Sequence, residues 1–534
     1  MAHLLYSLVF CHLKSNYGLA LLALGFLSLA CLCIGRAGSF VQRLPLPDGH
    51  ELIWGHERLV FMHEPGHAFR TWIAKLGPTF RIKAAFGASD ILVLNDPIGI
   101  AHILHRKIFD YHHSQVVRPR VARLLGKGLG WVEGEHEHKR MKRLVNPSLS
   151  ADNIRYMSSE VRVAASRVLN DFATFIENSG SPSCELNILT WTAKATLNVV
   201  GRVAFLHDFE GGNSREAQDI ITARRAGITP AARYAGFLSL MLLRRFPILN
   251  NLPIQAIQAQ GTAKKTIQAG VAKEMIARNK SFVNPGEKSE HRDLLSLLLI
   301  ASLEDRLSAD ELSEQISTFI MTGHEATTMT LGFTIWELSR NQGIQDRLRE
   351  ELSDFTGEPT YNDFQFRLPY LDAVLKETLR KYPGLPYMER VATKHDIIPL
   401  SQPVKLSDGS VTSQVEVSPG QIVLIPIIAI QRLNSLWKEA EKFRPERWLE
   451  DLPSEVKQYP GWSNLLVFSD GPRSCIGSRL AMFQYKVILS GLVARFRFEA
   501  VPGEVTLKIA SSIQPWIKGH EDRGPQLPVS IQLI

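Results

Sequence analysis

The sequence predicts a mainly α-helical protein with small β-sheets, carried behind a single N-terminal transmembrane helix. Three stretches predict it. Residues 18–35 hold no charge, a mainly helical pattern runs from about Glu135 to Asn341, and a strand- and loop-rich region follows Pro383 before another helix begins at Gly477.

The first stretch, Gly18 to Gly35, meets the lower length limit for a bilayer-spanning helix. Lys14 and Arg36 bracket it, so local charge leaves its orientation open. Small residues follow at Gly35, Ala37 and Gly38, as after a cleaved signal peptide, but the apolar part is longer than the usual signal core. The prolines of Leu44-Pro45-Leu46-Pro47-Asp48-Gly49 stiffen the chain without helix or ladder hydrogen bonds. The expected organisation is a tail over 1–17, an anchor over 18–35, a proline-containing stalk over 36–56 and a large domain over 57–534. A second apolar stretch, Phe237 to Leu243 followed by Arg244-Arg245-Phe246-Pro247, is too short to span a bilayer. It either dips into the interface with its arginines at headgroup level or ends an internal helix.

Within 57–534 no repeat, Gly/Ser linker or low-complexity tract marks a boundary, so one domain is expected despite a total length of 534 residues. The composition, 45% hydrophobic and 21% charged, is that of an ordinary globular protein. A formal charge of +8 suits anionic lipid, an acidic protein or nucleic acid. No zinc-finger spacing or RNA-recognition signature is present and the basic residues are spread along the chain, so no nucleic-acid partner is expected. The densest basic run, Lys139-Arg140-Met141-Lys142-Arg143, reads first as a solvated helix face. Of the five cysteines, only Cys184 and Cys475 lie in the main body. Two distant cysteines make no disulfide framework, which points to a reducing compartment.

Thr79–Ala84 and Asp90–Leu94 read as short strands around a Gly87 turn. Asp96-Pro97 reads as a helix start, with Asp as N-cap and Pro at the first position. Ser308-Ala309-Asp310-Glu311 is a capping box, and the helix it opens meets no proline before Arg340. At about 1.5 Å per residue it would be roughly 50 Å long and must cross the whole globule. Val423–Ala429 is a further strand candidate.

The segment with the most chemistry is Phe468-Ser469-Asp470-Gly471-Pro472-Arg473-Ser474-Cys475-Ile476-Gly477. A lone cysteine on a loop before a helix gains, as thiolate, from the helix dipole and free backbone N–H groups. Gly471 permits a turn that a β-carbon would obstruct, and Gly477 lets the backbone approach something flat and large. Arg473 can reach an anionic group, and Phe468 can shield the sulfur from water. A buried structural cysteine is the plain alternative.

This segment resembles the haem-ligand loop of the cytochrome P-450 superfamily, F-x-x-G-x-R-x-C-x-G. Chance agreement around a given cysteine is on the order of 10⁻⁵. Glu377-Thr378-Leu379-Arg380 is similar to the family's E-x-x-R helix, and Phe443-Arg444-Pro445-Glu446-Arg447-Trp448 to its P-E-R-F/W element. The resemblance implies that Glu377, Arg380 and Arg447 form a buried charge network. It also implies that Arg390 holds a haem propionate, with His138 and Lys142 in a helix that also touches a propionate.

What the resemblance implies as a whole is the cytochrome P-450 fold and haem b (iron protoporphyrin IX) with Cys475 as the axial thiolate and metal ligand. The implied function is a monooxygenase that activates O2 and inserts one oxygen atom into a lipophilic small molecule, with fungal microsomal members closest in pattern. Its implied partners are an NADPH-cytochrome P-450 reductase and membrane lipid, and its implied place is the endoplasmic reticulum membrane with the catalytic domain in the cytosol. The chain departs from the family at Thr322-Gly323-His324-Glu325-Ala326-Thr327-Thr328, where the threonine that assists proton delivery is replaced by Ala326. Three readings stay open: water and Glu325 suffice, Thr322 supplies the hydroxyl from the neighbouring turn, or Thr327 or a substrate hydroxyl does. Ala326 also favours the alternatives that need no outside electrons: an isomerase, a dehydratase or a peroxide-shunt enzyme. A non-catalytic haem-binding membrane protein is the reading from a different class.

Overall fold

Ser308 starts the helix around which the other elements are arranged. Its hydroxyl accepts from the Glu311 N–H at 3.2 Å while the Glu311 carboxylate accepts from the Ser308 N–H at 2.9 Å. These reciprocal bonds satisfy end donors that the helix cannot satisfy itself. The helix, Ala309–Arg340, then runs unbroken through Gly323, about 48 Å at ~1.5 Å per residue. The computed structural model describes residues 39–251, 261–280, 293–355, 357–510 and 512–534. The expected tail and anchor, 1–35, lie outside them.

The long helix is buried along most of its length because both flanks are apolar. Ile316, Ile320 and Met321 join Phe205, Leu295 and Leu298 in one core, while Phe333, Ile335 and Leu338 join Leu371, Phe483, Ile488 and Phe496 in another. Each such side chain contributes roughly 1.5–3 kcal/mol when removed from water. Small residues let the helix Leu189–Phe205 approach closely. A β-carbon on Gly332 would lie 2.5 Å from Leu189 Cδ2, and one on Gly323 would lie 3.1 Å from Val200 Cγ2. The Thr196 and Thr328 hydroxyls share a hydrogen bond of 2.7 Å across this contact.

A five-stranded sheet takes the order Thr79–Ile82, Ile91–Leu94, Ile422–Ile425, Met388–Ala392, Tyr111–His112. Ile91–Leu94 and Ile422–Ile425 are parallel, and the other pairs are antiparallel. The strand Met388–Ala392 carries Arg390 opposite Val423. Three smaller sheets are present among the described residues. Among them is the hairpin Val505–Ile509 and Ile513–Ile517, with the partly buried Ala510 and Ser512 beside its turn. The protein is thus mainly helical with small sheets, as its sequence predicts.

Two expectations change and one open reading narrows. The stalk expected over 36–56 is packed on the domain from residue 40 onward. Val41 and Leu44 are buried in the core beside Ile398 and Val417, and the Pro45 carbonyl accepts from the Arg81 N–H. The strand expected over Val423–Ala429 stops at Ile425, because Pro426 offers no N–H to the ladder, and a helix Ile427–Gln431 follows. Arg244 and Arg245 are not free to sit at headgroup level. Arg244 is partly buried between Glu57 and Glu389, and Arg245 Nε donates to the Phe86 carbonyl at 3.2 Å.

Among the described residues no single helix is long and apolar enough to cross a membrane. One bent pair, Arg215–Ala226 with Pro230–Arg245, meets that test together, by length and composition only.

Candidate active site

Cys475 lies deep inside the protein, yet its side chain is exposed, so it faces an internal cavity. Its loop is held by a hydrogen bond from the Cys475 N–H to the Phe468 carbonyl at 2.8 Å. Gly471 is required there: its φ is +67°, and a β-carbon would lie 2.4 Å from the Leu104 carbonyl oxygen. The helix Ser478–Arg495 begins immediately behind the cysteine with Gly477 as its cap. Burial pushes the Cys475 thiol up, while the backbone N–H groups of Gly477 and Ser478 pull it back down. A β-carbon on Gly477 would meet only open space, as expected beside a large cavity. Phe468 packs edge-on to Trp462, with ring centres 5.5 Å apart.

The long helix reaches the site through Gln484, whose Nε2 donates to the Gly323 carbonyl at 3.1 Å and to Thr327 Oγ1 at 3.2 Å. Along this buried helix Thr322 and Ala326 are both exposed, whereas Thr327 is buried. Positions four apart share a face, so these two exposed residues are the ones the helix turns toward internal space. Thr322 Oγ1 donates to the Thr318 carbonyl at 2.8 Å, which leaves its oxygen lone pairs for an incoming donor. Glu325 is paired with Arg224 from the helix Arg215–Ala226 and accepts from Ser512 Oγ at 3.3 Å. Burial pushes its carboxyl up, but Arg224 outweighs this and holds it below the usual carboxylate range.

On the cysteine side, the helix Glu135–Val145 divides its basic run. His138 is buried, 5.7 Å ring to ring from Phe109, and burial helped by Arg473 and Lys142 pushes it down to about 4. It is therefore a neutral imidazole near pH 7. Lys142 Nζ donates to the Pro472 carbonyl at 2.9 Å, while Lys139 and Arg143 are exposed. Arg473 is held by Glu133 at 2.9 Å, and Glu133 also accepts from the His113 N–H at 2.8 Å. Burial pushes the Glu133 carboxyl up, but the bonds from His113 and the charge of Arg473 bring it down to about 2. The Nε atoms of Arg390 and Arg473 are buried without a hydrogen-bond partner among the described residues.

Behind the loop lies a charge network. Arg380 Nε and Nη2 each donate to Glu377 at 2.9 Å, Arg447 Nε donates at 3.1 Å, and Trp448 Nε1 donates at 3.0 Å. Arg380 and Glu377 are fully buried. Burial pushes the Glu377 carboxyl up, yet the two arginines hold it low.

Sequence reasoning placed Trp448 in its motif without its bond to Glu377, and it missed three more residues, Glu133, His113 and Arg224. These three face their partners from far along the chain, and no local spacing marks them.

The family model for cytochrome P450 matches residues 44–514. Cytochrome P450 monooxygenase claQ of Ampulloclitocybe clavipes is 32% identical over 95% of this chain and 97% of its own length. Cytochrome P450 monooxygenase claP of the same species is 31% identical over 96% and 98%. Cytochrome P450 monooxygenase 205 of Postia placenta is 30% identical over 97% of each. The chain belongs to the cytochrome P450 family, a class of haem-thiolate monooxygenases that carry haem b on an axial cysteine thiolate. The residues present fit that group. An accessible thiol inside the protein, orphaned arginine nitrogens for two carboxylates, and open space at Gly477 are what it needs.

Proposed function

We propose that the protein is a membrane-anchored monooxygenase that draws electrons from an NADPH-cytochrome P450 reductase. It inserts one oxygen atom from O2 into a lipophilic small molecule, of the kind made in fungal secondary metabolism, terpenoids among them. The observation that carries this reading is Cys475, accessible to internal space at the start of a helix that is tied to Gly323. When bound, haem b supplies the activation of dioxygen, and the axial thiolate favours O–O cleavage.

The chain's own residues do the rest. Cys475 is the metal ligand, with Phe468 shielding its sulfur. Arg390 and Arg473 would neutralise the propionates, joined by Lys142 as a point charge and by His138 as a ring N–H donor. The test is turnover with reductase, NADPH and ¹⁸O₂. Product should gain one labelled oxygen atom, in step with NADPH consumption. Turnover without NADPH would replace this reading by an isomerase, dehydratase or peroxide-shunt enzyme, which Ala326 favours.

Thr322 delivers protons in place of the threonine absent at Ala326. Its exposed position and its free lone pairs support this, as does the burial of Thr327 against Gln484. Thr322→Ala should lower product per NADPH about tenfold, or ~1.4 kcal/mol in the barrier, with hydrogen peroxide rising in parallel. Thr327→Ala should change coupling little, and Ala326→Thr should restore it in the Thr322→Ala background. Unchanged coupling in Thr322→Ala would discard the relay and leave water and Glu325 to serve.

The reductase docks on the exposed side of the helix Glu135–Val145. Lys139 and Arg143 point outward there, with Lys139 paired to the equally exposed Glu135 at 2.6 Å. Lys139→Glu with Arg143→Glu should weaken reductase coupling in a salt-dependent way while haem content holds. Loss of haem would mean that the two faces are exchanged.

The place proposed is the endoplasmic reticulum membrane, with one span and a cytosolic catalytic domain. An apolar patch supports lipid contact. Ile53, Met62, Tyr234 and Leu238 are exposed around a Phe61–Phe237 ring stack of 4.2 Å. Asn279-Lys280-Ser281 is a glycosylation sequon. A glycan mapped to Asn279 would place the domain in the lumen and end both the topology and the reductase partnership.

A further inference from the structure

Arg120 and Arg224 both reach the residues beside one hairpin turn, Arg120 through the Ala510 carbonyl and Arg224 through Glu325, which Ser512 also meets. Arg120, on the helix Val117–Leu124, lies deep in the protein, yet its side chain is only half-buried, so part of it faces internal space. Its Nη2 donates to the Ala510 carbonyl at 2.9 Å, at the tip of the hairpin Val505–Ile509 and Ile513–Ile517. The charged groups that act on it are Arg224 and Arg123, both cations. Burial, with these two neighbours, pushes its guanidinium down to about 10. Among the described residues no carboxylate pairs with it.

Arg224 is engaged by Glu325, one residue before the cavity-facing Ala326. Ser512 Oγ, across the same hairpin tip, donates to that carboxylate at 3.3 Å and accepts from Gln514 Nε2 at 2.7 Å. The tip thus joins the long helix, the helix Val117–Leu124 and, through Glu325, the helix Arg215–Ala226. A third guanidinium, Arg233, donates to the next carbonyl of the hairpin, Ile509, at 3.2 Å. Among the described residues the carboxylate at this place, Glu325, is paired with Arg224, and none is paired with Arg120. A buried cation without a counter-charge is costly, and an apolar side chain of similar volume would pack there more cheaply.

We propose that Arg120, with Arg224 beside it, is a carboxylate-binding subsite of the substrate pocket, and that the substrate is a lipophilic molecule bearing a carboxylate. The inference rests on the monooxygenase reading and deepens it by naming the substrate class. The guanidinium of Arg120 has one donor fixed by Ala510 and others left for a planar anion, which an arginine fork binds through two parallel hydrogen bonds. A neutral terpene or polyketide would offer that guanidinium no counter-charge. An acid would pair it and would be held by its polar end while its apolar part lies against the cavity.

The test uses the full-length holoprotein and three acids of different shape, each against its methyl ester: dodecanoic, phenylbutyric and abietic acid. Binding is read from the haem absorption shift and by calorimetry. The reduced-CO band at about 450 nm, the mark of thiolate ligation, is recorded first. Its absence from the wild-type protein would count against the monooxygenase reading, not against the subsite. At least one acid should bind about tenfold more tightly than its ester, ~1.4 kcal/mol. Arg120→Leu should remove that preference with haem content kept, and Arg120→Lys should retain part of it. The proposal is overturned if every acid binds no better than its ester, or if the preference survives in Arg120→Leu. Loss of haem from Arg120→Leu but not from Arg120→Lys would assign Arg120 to a haem propionate and overturn it as well. Should Arg120→Leu fail to fold, the acid and ester comparison on the wild-type protein still decides.

Discussion

Cys475→Ser is expected to abolish the thiolate band at about 450 nm in the reduced-CO spectrum and product formation with it. A serine hydroxyl keeps the size of the side chain but offers no thiolate for the iron, so the loss should be complete. The fold should survive, because the loop is closed by the Cys475 backbone N–H and by Gly471, neither of which changes. Far-UV circular dichroism and thermal unfolding of the variant should therefore match the apoprotein. Cys184, half-buried in the strand Cys184–Asn187, is the internal control. Cys184→Ser should keep both band and turnover. A band that persists in Cys475→Ser would mean that another residue ligates the iron, and the assignment of the whole loop would fall.

The loop was legible because its motif is local: Phe468, Gly471, Arg473, Cys475 and Gly477 fall within ten consecutive residues, although the clash that requires Gly471 is with the distant Leu104. Capping was legible for the same reason: Ser308 with Glu311, and Asp96 accepting from the Ile98 and Gly99 N–H groups at 3.0 Å each, are satisfied within three residues. The face of the long helix was also readable in part, since a period of 3.6 separates Thr327 from Thr322 and Ala326. What the sequence withheld is pairing between distant segments. Arg224 meets Glu325 from 101 positions away, and Arg473 meets Glu133 from 340 away. Nothing in either stretch announces its partner. The stalk misled for a related reason: prolines predict stiffness, but burial of Val41 and Leu44 depends on strands hundreds of residues later.

Glu377→Gln is the second large effect expected, and it acts on stability. The change keeps the shape and removes the one negative charge shared by Arg380 and Arg447. Removing one member of a buried ion pair costs about 3–5 kcal/mol, against a total stability of roughly 5–15 kcal/mol for a typical protein. The denaturation midpoint should fall steeply and haem should be released at lower denaturant than in the wild type. Haem loss follows from connectivity. Arg380 also donates to the Gln431 carbonyl at 2.7 Å and the Ala440 carbonyl at 2.9 Å, Arg447 donates to the Lys438 carbonyl at 3.0 Å, and Gln431 Oε1 accepts from the Leu466 N–H two residues before Phe468. The network thus ties the helix Pro369–Lys381 to the segment that leads into the cysteine loop. Replacing all three members by apolar residues should not rescue the protein, although it can for a simple buried pair. The carbonyls of Gln431, Lys438 and Ala440 would then be left unpaired, at about 1–3 kcal/mol each. Equilibrium unfolding followed in parallel by circular dichroism and haem absorbance measures both effects. A Glu377→Gln protein that keeps its midpoint and its haem would show that the arginines are held by the carbonyls alone.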